Sequence, residues 1–169
     1  YSHTWANKDC YSRLRLNPLP AQDANQLLDS LLGDHDDLAK LKEDVLAMRQ
    51  KMHDAHATQG DKRAQIFNLK HDPGGLIDVE FIVQYLVLGY AHEHAALTGN
   101  LGNIALLKIA ADLSLIPADL ANAARDAYRE FRHLQHGLRL NFAQATVSPD
   151  EIASQMSAVR ALWRVVFEL

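Results

Sequence analysis

Leu76-Ile77-Asp78-Val79-Glu80-Phe81-Ile82-Val83-Gln84-Tyr85-Leu86-Val87-Leu88-Gly89-Tyr90 is the stretch whose reading decides the fold. Leu76, Val79, Val83, Leu86 and Tyr90 recur three and four residues apart, the spacing of one face of an α-helix. Phe81, Ile82, Val87 and Leu88 cover its other sides, so the helix is predicted to be central and buried. Its entrance reads Lys70-His71-Asp72-Pro73-Gly74-Gly75. Two glycines there permit positive φ and can leave backbone N–H groups pointing outward.

Similar stripes flank this helix. Leu38, Leu41, Val45, Met48, Met52 and Ala55 mark a helix from about Asp36 to Thr58. Leu120, Ala124, Ala127, Phe131, Leu134, Leu138 and Phe142 mark a third, opened by Pro117 and Asp119. Thr98-Gly99-Asn100 is expected to close the central helix and start a shorter one through Leu113. Ser148-Pro149-Asp150-Glu151 has the form of a capping box, predicting a last helix towards Glu168. Asn17-Pro18-Leu19-Pro20 separates an N-terminal helix from a short one over Leu27 to Leu32. Only residues 65–70 look extended, with Ile66, Asn68 and Lys70 on one face and Phe67 and Leu69 on the other. The expected fold is an all-α antiparallel helical bundle with at most one short extended segment. Residues 1–35 read as N-terminal helices continuing from an upstream domain, and 36–169 as the bundle.

Composition narrows the function classes. The 169 residues are 48% hydrophobic and 22% charged, ordinary for a globular protein. A formal charge of −4 provides no basic field for nucleic acid or an anionic membrane. The apolar run Phe81–Gly89 is too short to cross a bilayer. Cys10 is the single cysteine, which excludes an internal disulfide and a thiolate zinc site, so a reducing, cytoplasmic setting is expected. The start, Tyr1-Ser2-His3-Thr4-Trp5, has no signal-peptide pattern and no initiator Met, which suggests a piece of something longer.

Candidate chemistry centres on the helix entrance. A helix N-terminus with Lys70 upstream can cradle phosphate, whereas the plainer reading of Pro73-Gly74-Gly75 is a turn that redirects the chain. It is not a Walker A loop, because no Lys-Ser or Lys-Thr follows the second glycine. Asp78 and Glu80 diverge by about 200° around the helix and cannot clamp one metal ion together. Asp78, in the first turn, complements the helix dipole. Glu80 lies where the helix becomes apolar all round and needs a partner; Arg132, beside the Phe131 stripe, could reach Glu80 or Asp78. His53 with His56, and His133 with His136, have a spacing that can share a metal, but no third ligand is near in sequence. Neither a metal site nor a catalytic residue is assigned within the chain. Lys70, Gly74, Gly75, Asp78, Glu80 and Arg132 remain as candidates for contact with a nucleotide or a neighbouring domain.

The run from Lys70 to Leu86 resembles the Lys-x(3)-Gly-Gly-Ile-x-Asp-Ile-Glu-Phe-x-x-Gln signature of glutamine synthetase adenylyltransferases. The likeness extends through Thr98, Asn103, Ala127-Tyr128 and Phe131-Arg132, and over Met48 to Met52. The first thirty or so residues match poorly. The Asp-x-Glu form and the terminal bundle are similar to the adenylylating, C-terminal half of these two-headed enzymes. The resemblance implies a helical, regulatory domain following a nucleotidyltransferase domain. The family moves AMP from ATP to a tyrosine of glutamine synthetase with Mg²⁺, and removes it again in its other half. It thereby regulates nitrogen metabolism, itself answering to glutamine and a PII-type signalling protein.

In that family the metal sits on an Asp-x-Asp pair downstream of a Gly-Ser turn. This chain has no Gly-Ser, and its one Asp-x-Asp, Asp34-His35-Asp36, reads as an N-cap cluster after Gly33. The resemblance therefore implies an isolated chain that transfers no AMP and binds neither ATP nor Mg²⁺ alone. Ile77 stands where relatives often carry a polar or basic residue, which removes any phosphate contact from that position. Two other readings compete. One is a stand-alone interaction bundle that docks a partner through its exposed apolar stripe, whereas a piece cut from a longer enzyme is expected to carry an apolar scar on Trp5, Leu14 and Leu16. The other is a histidine phosphotransfer bundle built on His133-Leu134-Gln135-His136-Gly137, against which Leu138 and Arg139 are bulky.

Overall fold

A computed structural model describes residues 38–60 and 64–168. The expected N-terminal helices, the Asp34-His35-Asp36 cap and the Trp5–Leu16 scar lie outside the described residues. The described residues belong to one compact unit. They form five α-helices: α1 (Leu38–His56), α2 (Leu76–Tyr90), α3 (Asn103–Asp112), α4 (Ala118–Leu140) and α5 (Ala153–Phe167). The described residues form an all-α bundle. Among the described residues no helix is long and apolar enough to cross a membrane.

Helix α2 packs against each of the other four helices. Nine of its fifteen residues are buried, including Leu76, Val79, Ile82, Val83 and Leu86. A helix apolar on every side finds burial only by being surrounded, and α2 is. The core continues through Leu107 and Ala110 of α3, Ala121, Ala124, Ala127 and Phe131 of α4, and Val159 and Leu162 of α5. Alanines along α4 let that helix approach closely, while Phe131 fills the space beside Phe67 at a ring separation of 6.3 Å.

The extended segment is a two-residue strand, β1 (Phe67–Asn68). Phe67 and Leu69 are buried, whereas Ile66 and Lys70 are exposed, as the alternation predicts. Its partner is β2 (Thr146–Val147), antiparallel, with Phe67 opposite Val147 and Asn68 opposite Thr146. The sequence reading did not single out β2. Two residues carry too little alternation to stand out from a loop.

Several expected boundaries shift. Helix α2 ends at Tyr90, and a 3₁₀ turn, Ala95–Thr98, fills the interval before α3. Ser148 makes no side-chain capping bond; a 3₁₀ turn, Pro149–Ile152, precedes α5. Phe142, expected in the α4 stripe, lies beyond the helix end at φ 54° and is 99% exposed. Tertiary packing also turns α1. Its buried residues are Val45 and Arg49, while Met48 is 51% exposed.

Candidate functional site

The burial of Arg49 organises the helix entrance. Its Nε donates to Asp78 Oδ1, and its Nη2 donates to the His71 carbonyl at 3.1 Å. Only 6% of Arg49 and 4% of Asp78 are exposed. The second Asp78 oxygen accepts the Gly74 N–H at 2.6 Å. Burial pushes the Asp78 carboxyl above its ordinary pKa, and the Arg49 charge, the Gly74 N–H and Arg160 pull it back. The expected order of the two carboxylates is therefore reversed: Asp78 is the buried one, and its partner is Arg49.

Asp72 fastens the same turn from outside the helix. Its Oδ1 accepts the Thr58 N–H at 2.6 Å, beyond the end of α1, and its Oδ2 accepts the Asn68 N–H at 2.8 Å. The Asn68 side chain accepts from the Lys70 and His71 amides at 3.0 and 3.1 Å. Asx turns of this kind fold the backbone locally, without long-range help.

The two glycines serve close packing. Gly74 sits at φ 90°, and a Cβ there would lie 3.0 Å from both the Met156 carbonyl and Arg160 Nε on α5. A Cβ on Gly75 would lie 2.7 Å from the Leu69 carbonyl and 2.9 Å from that of Asp72. The amides are also occupied. Gly75 donates to Asp72 at 3.0 Å, Leu76 to Leu69 at 2.9 Å, and Ile77 to Lys70 at 3.2 Å, with the acceptor in each case the carbonyl oxygen. With the Gly74 bond to Asp78, these four N–H groups already have acceptors within the chain. A phosphate cradle needs such donors free, so the arrangement suits a brace better than a cradle.

His71 lies beside this turn, its ring 4.8 Å from that of His56, and its buried Nδ1 has no hydrogen-bond partner. Burial first, then Lys70, His56 and Arg49, hold its pKa below the usual histidine value. A folded pKa below the unfolded one means that the unfolded chain binds more protons across that interval. Stability is then complete above about 6.5 and falls as pH drops through the lowered value. His71→Gln is expected to flatten the rise in unfolding midpoint as pH climbs towards about 6.5; an unaltered slope would assign it to other groups.

Glu80 faces the opposite side of α2. It accepts a hydrogen bond from the Tyr128 hydroxyl at 3.2 Å, and that hydroxyl accepts from Asn103 Nδ2 at 2.9 Å. Burial raises the Tyr128 pKa, so the phenol stays protonated and donates. The relay joins α2, α3 and α4. Tyr128→Phe breaks it while keeping the ring, with an expected loss of about 1 kcal/mol in urea unfolding. An unchanged midpoint would show that the relay carries no stability.

Arg132 is not the ion-pair partner of either carboxylate among the described residues. It lines a cavity of about 420 Å³ together with Lys70, Glu80, Gln135 and Arg139. Lys70, Arg132 and Arg139 thus share one wall of the bundle with the Glu80 carboxylate. Lys70, Glu80 and Arg132 come together there, whereas Gly74 faces α5, Asp78 faces Arg49 of α1, and Gly75 packs on the Leu69 and Asp72 carbonyls. Among the described residues no three or more His, Cys, Asp or Glu side chains converge as metal ligands. Sequence reasoning missed Arg49, Asp72 and Tyr128. The available signal for Arg49 was a charge one residue from an apolar stripe that had equally good apolar members.

A family model described as GlnD PII-uridylyltransferase matches residues 43–148, from α1 to β2. The bifunctional glutamine synthetase adenylyltransferase/adenylyl-removing enzyme of Aromatoleum aromaticum is 60% identical over 131 residues, covering 78% of this chain and 14% of that protein. Those of Nitrosomonas europaea and Bordetella bronchiseptica are 45% identical over 157 residues and 47% over 133, covering 84% and 78% of the chain. The chain spans only 14–16% of the length of these relatives. All of the names denote nucleotidyl transfer, uridylyl in one case and adenylyl in the others. The match covers the α2 entrance, the Arg49–Asp78 pair and the Glu80–Tyr128 relay, and on it the chain belongs to the family described as GlnD PII-uridylyltransferase, with relatives among the glutamine synthetase adenylyltransferases.

Proposed function

We propose that this chain is the C-terminal helical domain of a bifunctional enzyme that adenylylates and deadenylylates glutamine synthetase, supporting an upstream nucleotidyltransferase active site. The observation that carries this reading is the 60% identity to such an enzyme over 131 residues. The parent moves AMP from ATP to a tyrosine of glutamine synthetase in the cytoplasm, with Mg²⁺ bound in the upstream domain. A PII-type protein and glutamine regulate it. The bundle itself supplies no catalytic group.

The geometry fits a supporting wall. The Gly74–Gly75 turn is tied to α1 through Arg49 and Asp72 and to α5 through Arg160, whose Nε and Nη2 donate to the Pro73 carbonyl at 3.0 and 2.9 Å. Such a turn holds its shape against a neighbouring domain. Lys70, Arg132 and Arg139 present positive charge on the Glu80 wall, suited to the catalytic domain or to the nucleotide that it holds.

AMP transfer to glutamine synthetase, followed with labelled ATP·Mg²⁺, tests the reading. The 169-residue chain alone is expected to transfer none. In the longer enzyme that contains it, Lys70→Ala with Arg132→Ala is expected to lower transfer about tenfold or more without shifting the unfolding midpoint. Unchanged transfer by the double variant would remove the wall from the mechanism. Transfer by the chain alone would overturn the supporting role.

A further inference from the structure

A second cavity, of about 320 Å³, lies between α1, the Pro73 turn and α5. Its inner wall includes Arg49, and its outer wall Arg160, Trp163 and Arg164. Arg49 spends Nε on Asp78 and Nη2 on the His71 carbonyl, but its buried Nη1 has no hydrogen-bond partner. A buried guanidinium nitrogen left without an acceptor is costly in a folded protein. Arg49 lines the cavity, and its Nη1 is closed to solvent, so an acceptor reaches that nitrogen only when the lining side chains part.

The lining charges identify the acceptor's chemistry. Arg49, Arg160 and Arg164 stand against Asp78 and Glu168, and Asp78 is already committed to Arg49 and the Gly74 amide. The balance favours an anion. Arg49 comes from α1 and Arg160 and Arg164 from α5, and a tetrahedral group with three free oxygens can accept from several directions at once. A planar carboxylate, with two oxygens, satisfies fewer. Trp163 adds an aromatic face large enough for a small organic group, within the lower range of ligand-site volumes, roughly 300–1,000 Å³.

We propose that this cavity binds a phosphate group, either inorganic phosphate or the terminus of a small phosphate monoester, with Arg49 as its buried anchor and Arg164 as its exposed clamp. The site is separate from the Lys70–Glu80–Arg132 wall and does not depend on the supporting role assigned to that wall. Arg164 carries no side-chain hydrogen bond or ion pair in the described structure, so its replacement leaves the fold's own contacts intact.

Calorimetric titration of the whole 169-residue chain tests the proposal, using inorganic phosphate, phenyl phosphate and acetate at ionic strength matched with NaCl. Saturable binding of phosphate or phenyl phosphate is expected, with acetate at least tenfold weaker. Tighter binding of phenyl phosphate would identify an ester as the ligand, through Trp163, and equal binding would identify free phosphate. Arg164→Gln is expected to weaken binding about tenfold, and Trp163→Leu to affect phenyl phosphate selectively. Heats indistinguishable from the NaCl control, acetate binding as tight as phosphate, or an Arg164→Gln chain that binds phosphate normally would each overturn it. Arg49 substitutions strand the buried Asp78 carboxylate, so they report on folding rather than on the anion.

Discussion

Asp78→Asn is expected to lose about 3–5 kcal/mol of unfolding free energy, the largest single-site effect in the described structure. The substitution preserves shape and removes the charge that Arg49 faces. Arg49 is 6% exposed and cannot turn to water without leaving the space between α1 and α2. The amide can still accept from the Gly74 N–H, so the loss reports the uncompensated guanidinium rather than the turn. Arg49→Met is expected to be nearly as damaging, since it strands the Asp78 carboxylate. Arg49→Met combined with Asp78→Leu should recover most of either loss, because an apolar pair of similar volume incurs no charge burial. Urea midpoints for the parent, Arg49→Met, Asp78→Leu and the combined variant, with unchanged m-values, form the double-mutant cycle. Single variants within about 0.5 kcal/mol of the parent would mean that the pair is not buried in solution.

Gly75→Ala should follow, with a loss of about 2–3 kcal/mol. The added Cβ would sit 2.7 and 2.9 Å from two backbone carbonyls. A crowded side chain can rotate away, but these carbonyls are fixed by their own bonds. Leu69 accepts from Leu76 N–H and Asp72 accepts from Gly75 N–H, so moving either breaks the first turn of α2. Gly74→Ala meets different obstacles, a φ of 90° and the Met156 carbonyl at 3.0 Å, with Arg160 as its one movable neighbour. Hydrogen exchange distinguishes local from global loss. Gly75→Ala is expected to release the Leu76 and Ile77 amides ahead of the α4 core, and retained protection there with an unchanged midpoint would contradict the packing argument.

Amino-acid order by itself determined the elements whose information is local. The apolar spacing of Leu76 to Tyr90 fixed a buried helix, because a side chain's face follows from its position in the turn. Alternation over Phe67, Asn68 and Leu69 separated two faces, and the packed structure turned Phe67 and Leu69 inward. The Lys70–Leu86 signature indicated the family before any contact was known. The α1 stripe shows the limit. Met48 and Arg49 are neighbours about 100° apart on the helix, and hydropathy favours burying Met48.

Only the tertiary structure decided that Arg49 turns inward, since the reason, Asp78, lies 29 residues away on another helix. Glu80 likewise needed a partner, and the sequence offers 17 lysines and arginines. The partner proved to be Tyr128, 48 residues distant and neutral. Pairing over such separations depends on which helix faces meet, and periodicity carries no information about that. The same reason hid the use of the two glycines. Their freedom was legible in the sequence, but their task of admitting the carbonyls of Leu69, Asp72 and Met156 became visible only once α5 and the Asn68 turn were packed against them.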